Sequence, residues 1–347
     1  ASRERPYLYL DASGAFRVFV PDARTDSAGT TWASGPTPGR SIPLSQFFVA
    51  SPSDSIQTIN NQLSRGKHLL LTPGVYGVER SIKVKRAHTI VLGLGFPTLT
   101  AVNGAVPMTV ADVAGVDLAG FMFDAGDVES PSLLEIGTRH GRGNCHPGDT
   151  PTGVQDVFFR IGGPDVGKAR VSLEVNSGNV ILDDIWAWRA DHGSGVGWTV
   201  NTADTGLVVN GDDVTATGLF VEHYQKYNVI WNGERGRTIF FQNELPYDPP
   251  DQAAWQHDGS LGWAAYKVAS SVRTHTLWGG GSYVFTNVNP SLHASRGFEV
   301  PVTPGVRAFD VLTVELGAGT IDHVINDTGD PVTDGAIGVP STVLAFP

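Results

Sequence analysis

"NGDDVTATGLFVE" (Asn210–Glu222) and "NGERGRTIFFQNE" (Asn232–Glu244) align without a gap, 22 residues apart. Two earlier segments join them, "DVAGVDLAGFMFD" (Asp112–Asp124) and "NSGNVILDDIWAW" (Asn176–Trp188). Counted from each first residue, positions 4, 6, 9 and 11 are mostly apolar or small. They read Val116, Leu118, Phe121, Phe123; Val180, Leu182, Ile185, Ala187; Val214, Ala216, Leu219, Val221; and Gly236, Thr238, Phe241, Asn243. The even step changes to an odd one between 6 and 9. Two short strands meeting at a corner give this spacing, each turning alternate residues inward. A coil of about 22 residues holds three short strands and three turns, and such a coil cannot bury its inner face alone, so coils stack. The expected fold is therefore all-β, a right-handed parallel β-helix of the pectate-lyase-like kind. The competing architecture, a β-sandwich, does not repeat one pattern in register.

Outside these copies the strands are short, β-branched and separated by Gly, Asn and Asp. One helix stands out: Ile56, Ile59 and Leu63 fall at helical spacing, with Ser and Asp before them as a cap and Gly66 after as a stop. It is expected to cover the open N-terminal end of the stack, where bare strand edges invite pairing. Before it, residues 1–50 read as an extended segment. "YLYLDASGAFRVFVPD" alternates like a hairpin, and "GPTPGRSIPLSQF" reads as a linker. The β-helix domain is expected over 51–347.

Composition narrows the partners. The 347 residues are 41% hydrophobic and 17% charged, which suits a chain with a real core. Net charge is −11 with only 24 Lys and Arg, so no basic face is available for nucleic acid. The densest basic run, "KVKR" at Lys83–Arg86, reads as the surface of a strand. No apolar run reaches the ~18 residues of a membrane span. The start "ASRERPYLYL" lacks an apolar signal region and reads as a trimmed or internal start. An acidic, lysine-poor surface fits a secreted protein acting on a neutral polymer. The single cysteine, Cys145, excludes a disulfide within the chain. His140, Cys145 and His146 match no standard zinc spacing, and neither a metal nor another cofactor is expected.

Chemistry is expected at position 12, which holds Asp124, Trp188, Glu222 and Glu244. By alternation it faces outward. Glu222 and Glu244 thus stand on adjacent rungs, with backbones ~4.8 Å apart. Stacked carboxylates repel, and one tends to keep its proton, which suits an acid/base pair. Glycosidic cleavage needs such a pair beside aromatic platforms. Two solvated surface acids would give the same pattern, but seven of the eight tryptophans lie between Trp186 and Trp278, and Trp186, Trp188 and Tyr247 fall on outward or turn positions, as exposed rings. Asp183–Asp184 and Asp212–Asp213 read as turn caps, with calcium as the alternative. Asp191–His192 is a possible dyad with no serine elbow beside it.

"FVEHYQKYNVIWNGERGRTIFFQNELPYDPPD" resembles the catalytic stretch of glycoside hydrolase family 55, the exo-β-1,3-glucanases or laminarinases. The counterparts of that family's motifs are Val221-Glu222-His223 and Asn243-Glu244-Leu245-Pro246-Tyr247. "GKHLLLTPGVY" and "WAWRADHG" are also similar to family segments, and the resemblance runs from Ile42 to about Val302. It implies an inverting mechanism and a pocket for the non-reducing end of a β-1,3-glucan. By motif, Glu244 would be the general acid, and Glu222 would position the attacking water. Trp188, Asp191 and Tyr247 would bind the sugar; Trp186, His192 and His223 are further sugar-binding candidates. Two departures stand out. Family members carry two tandem β-helices, and this chain resembles the second, so a second β-helix is an expected partner. Leu245 and Asp248 stand where the family often has Thr and Tyr. A glycan-binding β-helix without catalysis, a glycosidase of the same fold acting on a different polysaccharide and, last, a calcium-dependent polysaccharide lyase are the alternative functions.

Overall fold

The computed structural model describes residues 1–138 and 149–347. Its strands fall into two long parallel sheets. One holds eight short strands, running from Ile82–Val84 through Met108–Val110, Ser130–Ile136, Ala169–Val175, Thr205–Val209, Val229–Trp231 and Tyr266–Val268 to Phe298–Glu299. The other contains longer strands in the order Asp117–Asp124, Thr152–Ile161, Val180–Arg189, Thr215–Glu222, Gly236–Glu244, His275–Phe285 and Val306–Ala318. The chain visits the two sheets in turn, each strand pairing in parallel with the equivalent strand of the next coil. This is a β-helix. At the far edge Ser341–Phe346 pairs antiparallel with Val306–Ala318 and covers its backbone groups.

The corner foreseen in the repeat is a stack of left-handed residues at position 8. Gly120, Asp156, Asp184, Gly218, Phe240, Gly279 and Asp310 all have φ between 50° and 76°. One left-handed residue breaks the two-residue alternation, so positions 4 and 6 on one leg and 9 and 11 on the other both point inward. All sixteen side-chain positions read as inward are buried. Phe123 and Phe159 stack at 5.2 Å within that core. Two of its polar groups are paired: Thr238 and Tyr266 hydroxyls meet at 2.7 Å, and Asn243 Nδ2 donates to the Val221 carbonyl at 2.6 Å. At position 0 the asparagines form a ladder: Asn232 donates to Asn210, and Asn210 to Asn176, at 2.8 and 2.7 Å.

Between its first and last copies the gapless alignment passed over one rung, and two more follow, His275–Phe285 and Val306–Ala318. Thr152–Ile161 lies between Asp117–Asp124 and Val180–Arg189. Its position-12 residue is Arg160, which clasps Asp124 through two hydrogen bonds of 2.7 and 2.8 Å. The column therefore reads Asp124, Arg160, Trp188, Glu222, Glu244, Tyr283.

The N-terminal hairpin pairs Tyr7–Leu10 with Phe16–Pro21. The stretch read as a linker instead supplies a third antiparallel strand, Gly39–Pro43, followed by a single 3-10 turn at Leu44–Gln46. Edge position tolerates the proline at its end, because no ladder donor is needed there. Val18, Val20 and Ile42 pack on Leu70, Ile90, Leu92 and Ala119, a small second core on the outside of the stack. The parallel stack itself starts at Phe47–Ala50, which pairs with His68–Leu71. The helix Ile56–Ser64 begins at Ser55, whose hydroxyl accepts from the Thr58 amide at 3.1 Å. Ile56, Ile59 and Leu63 enter the main core, beside the terminal strands of both sheets.

Candidate functional site

Glu222 and Glu244 close their bent strands at the same edge of the sheet, in the register set by Leu219 on Phe241 and Phe220 on Gln242. Their surroundings differ. Trp186 Nε1, one rung earlier, donates to Glu222 Oε2 at 2.8 Å. Burial pushes the Glu222 carboxyl above the usual range. The Trp186 hydrogen bond and the Gln242 amide act against that rise; His223 does so when it carries a second proton, and Glu244 adds to the rise when ionised. Glu244 is more open, its side chain 37% exposed, and its Oε2 lies 3.2 Å from His223 Nε2.

His223 was expected at the sugar. It is instead buried, with both ring nitrogens engaged by protein atoms: Nε2 by Glu244 and Nδ1 by the Arg189 carbonyl at 3.1 Å. Its backbone sits at φ 67°, a left-handed conformation uncommon for a non-glycine residue and typical of places where structure over-determines geometry. The His223 amide donates to the Glu244 carbonyl at 2.7 Å, so the two residues hold each other by backbone and side chain.

Behind His223 stands Arg189, which sequence reasoning missed. Its guanidinium is fully buried and makes a two-pronged ion pair with Asp248, both contacts 2.8 Å. It also donates to the carbonyls of Asn201, Gly197 and His223. One side chain thus ties together the loop after Arg189, the turn at His223 and the proline-rich loop after Glu244. Asp248 is therefore an internal anchor, not a surface substitution in the sugar site. Leu245 likewise points into the core at 1% exposure.

The aromatic candidates gather beside the acids. Trp186 and Trp188 stack at 5.4 Å, and the His192 ring lies 5.1 Å from Trp188. Trp188 is not the open platform expected: it is buried at 8% exposure, with the Gly163 backbone passing over it so closely that a Cβ there would meet the indole at 3.2 Å. Trp186 and Tyr247 remain half-buried. Tyr247 packs edge-on to His223 at 5.7 Å. Burial chiefly, with the charges of Asp248 and Asp191 adding, pushes its phenol up to about 12, so it is a neutral hydroxyl at physiological pH. Asp191, whose Oδ1 is 2.7 Å from His192 Nδ1, therefore belongs to the same cluster. Of the other tryptophans, Trp231 and Trp255 simply fill core.

The aspartate pairs serve the frame. Asp183 takes a hydrogen bond from Thr217, and Asp184 neighbours Asp156 at the left-handed corner, burial first and Asp156 second pushing its carboxyl up to about 6. Asp212 and Asp213 hold Arg235. Among the described residues no group of three or more His, Cys, Asp or Glu is arranged to hold a metal, and no helix is long and apolar enough to cross a membrane. His140, Cys145 and His146 lie outside the described residues.

The profile of the LAM55 pectate lyase-like domain matches residues 47–244, more than half of the chain. An exo-β-1,3-glucanase of Streptomyces sp. (strain SirexAA-E / ActE) is 52% identical over all 347 residues. The chain belongs to glycoside hydrolase family 55. The structure of sacteLam55A from Streptomyces sp. SirexAA-E superimposes with a TM-score of 0.97 at 51% identity, over 100% of this chain and 62% of that one. A variant of the same enzyme in complex with glucose matches equally. The chain spans 57% of the length of the curated glucanase, so it corresponds to a little over half of it. Tailspike protein 2 of bacteriophage CBA120 shares the fold at a TM-score of 0.56 and 14% identity, over 94% of this chain and 53% of that one.

Proposed function

We propose that this family 55 chain carries the acid/base machinery of an inverting exo-β-1,3-glucan hydrolase. The observation that carries the proposal is the unequal pair of carboxylates on successive rungs, one enclosed and one open, beside Trp186, Tyr247 and Asp191. Glu244, the open one, protonates the leaving glycosidic oxygen. Glu222, whose raised affinity for a proton makes it a stronger base than a surface carboxylate, orients a water and takes its proton. The bond from C1 to the leaving oxygen breaks with its electron pair going to that oxygen, and the water oxygen bonds to C1 from the opposite face. Asp191, His192, Tyr247 and the Trp186–Trp188 pair line the place for the terminal sugar.

Several finer features belong to the same proposal. The coil is right-handed, as nearly all parallel crossovers are. The helix Ile56–Ser64 caps the stack, consistent with its apolar face lying beside the terminal strands of both sheets. The antiparallel strands up to Pro43 form an appendage to a β-helix domain that starts at Phe47, slightly before the boundary expected at 51. A second β-helix completes the catalytic water site, in line with the greater length of the relatives. The protein acts outside the cell.

The test is product analysis on a panel of β-glucans, with proton NMR of the first product formed, using the chain with and without the adjoining gene segment. α-Glucose released from laminarin is expected. Initial β-glucose rules out inversion, and polymer retention without product under both conditions favours a glycan-binding β-helix.

A further inference from the structure

Four residues form an unbroken polar chain from the core to the open carboxylate: Asp248, Arg189, His223 and Glu244. Asp248 fixes the Arg189 guanidinium through paired 2.8 Å contacts. Arg189 and His223 clasp in both directions, the guanidinium donating to the His223 carbonyl at 3.2 Å and the Arg189 carbonyl lying 3.1 Å from His223 Nδ1. A carbonyl only accepts, so Nδ1 carries a hydrogen. In the neutral imidazole Nε2 then presents a lone pair, and the hydrogen in its 3.2 Å contact with Oε2 comes from Glu244.

Resting on the hydrolase reading above, we propose that His223 is the positioning residue of the general acid, holding the Glu244 proton on Oε2 until a glycosidic oxygen replaces Nε2 as its acceptor. Arg189 and Asp248 lock the tautomer that makes this possible. The arrangement explains why a histidine occupies a buried left-handed turn, where Asn or Gly fits with less strain. It also explains an aspartate at position 248. The groups facing the imidazole are Glu244, the Arg189 carbonyl, the Tyr247 ring edge, and the charge of Glu222 from its own strand.

Proton delivery matters when the leaving group is a sugar and much less when it is an activated phenolate. His223→Asn, which suits the left-handed backbone, is expected to lower kcat on laminari-oligosaccharides by about 100-fold, the scale of acid catalysis. KM should stay within about twofold, and kcat on 2,4-dinitrophenyl β-glucoside should fall only a few-fold by the same reasoning. Asp248→Asn should show the same split, more weakly. Equal losses on both substrates, or none, overturn the proposal. A second readout needs no turnover: nitrogen-15 NMR of histidine-labelled full chain should show His223 protonated at Nδ1 and bare at Nε2 at neutral pH. In Glu244→Gln the amide takes over as donor and the tautomer persists. A hydrogen on Nε2, whether in the other neutral tautomer or in the imidazolium, overturns the proposal even where glucan hydrolysis itself is absent, which separates its failure from that of the hydrolase reading.

Discussion

Trp186 reaches across one rung to donate its indole N–H to Glu222, the enclosed carboxylate of the column. The bond does two things. It aims the carboxylate, and it partly offsets the burial that would otherwise keep the group protonated. Trp186→Phe retains the ring and removes the donor. The Glu222 carboxyl should then rise further, and its ionised, water-activating form should appear only at higher pH. The acidic limb of the kcat/KM profile, already expected above the ordinary carboxylate range of about 4.3, should move upward in pH. An unmoved limb would separate Trp186 from the base.

A second prediction concerns the corner. Phe240 occupies the left-handed column where neighbouring rungs have Gly218 and Gly279, and it is 58% exposed. Phe240→Asn keeps the rung and relieves the backbone. It should raise the unfolding free energy by about 1 kcal/mol, less what is lost with the edge-on contact to Phe220. Gly218→Val should do the opposite. Chemical denaturation of both variants gives the answer.

A third follows from His275, wholly buried, with Nε2 2.9 Å from the Tyr266 hydroxyl. Burial holds its imidazole down at about 3. The unfolded chain takes up a proton near 6.5, so the stabilisation is complete above that value and drains away as the pH falls from there towards 3. At pH 4 the loss from this one group is about 3 kcal/mol. His275→Gln should flatten the acid side of a melting-temperature profile; an unchanged slope would assign acid sensitivity elsewhere.

Repeats explain how much of this was legible in the sequence. Phe241, Asn243 and Glu244 could be placed because 22 residues separate them from Leu219, Val221 and Glu222 with nothing inserted. The rung ending at Arg160 was passed over although Val154, Val157 and Phe159 keep the spacing of its neighbours, because its position 4 is the polar Thr152 and its last residue is basic. Gly39–Pro43 hid as a strand because edge strands accept the Pro and Gly that usually mark loops. Arg189 and Asp248 left no trace because their partnership spans 59 residues, and a buried ion pair has no period. Trp188 was placed in the right column but given too much light, since the loop that covers it comes from the neighbouring rung at Gly163.

The most direct test of the central claim is glucose release from laminarin by Glu244→Gln, alongside its melting temperature. The variant keeps the size and hydrogen-bonding reach of the side chain but has no proton to give. The account predicts a loss of at least about 100-fold, in line with removal of a general acid, at an unchanged melting temperature. Near-normal release by a fully folded variant would contradict it.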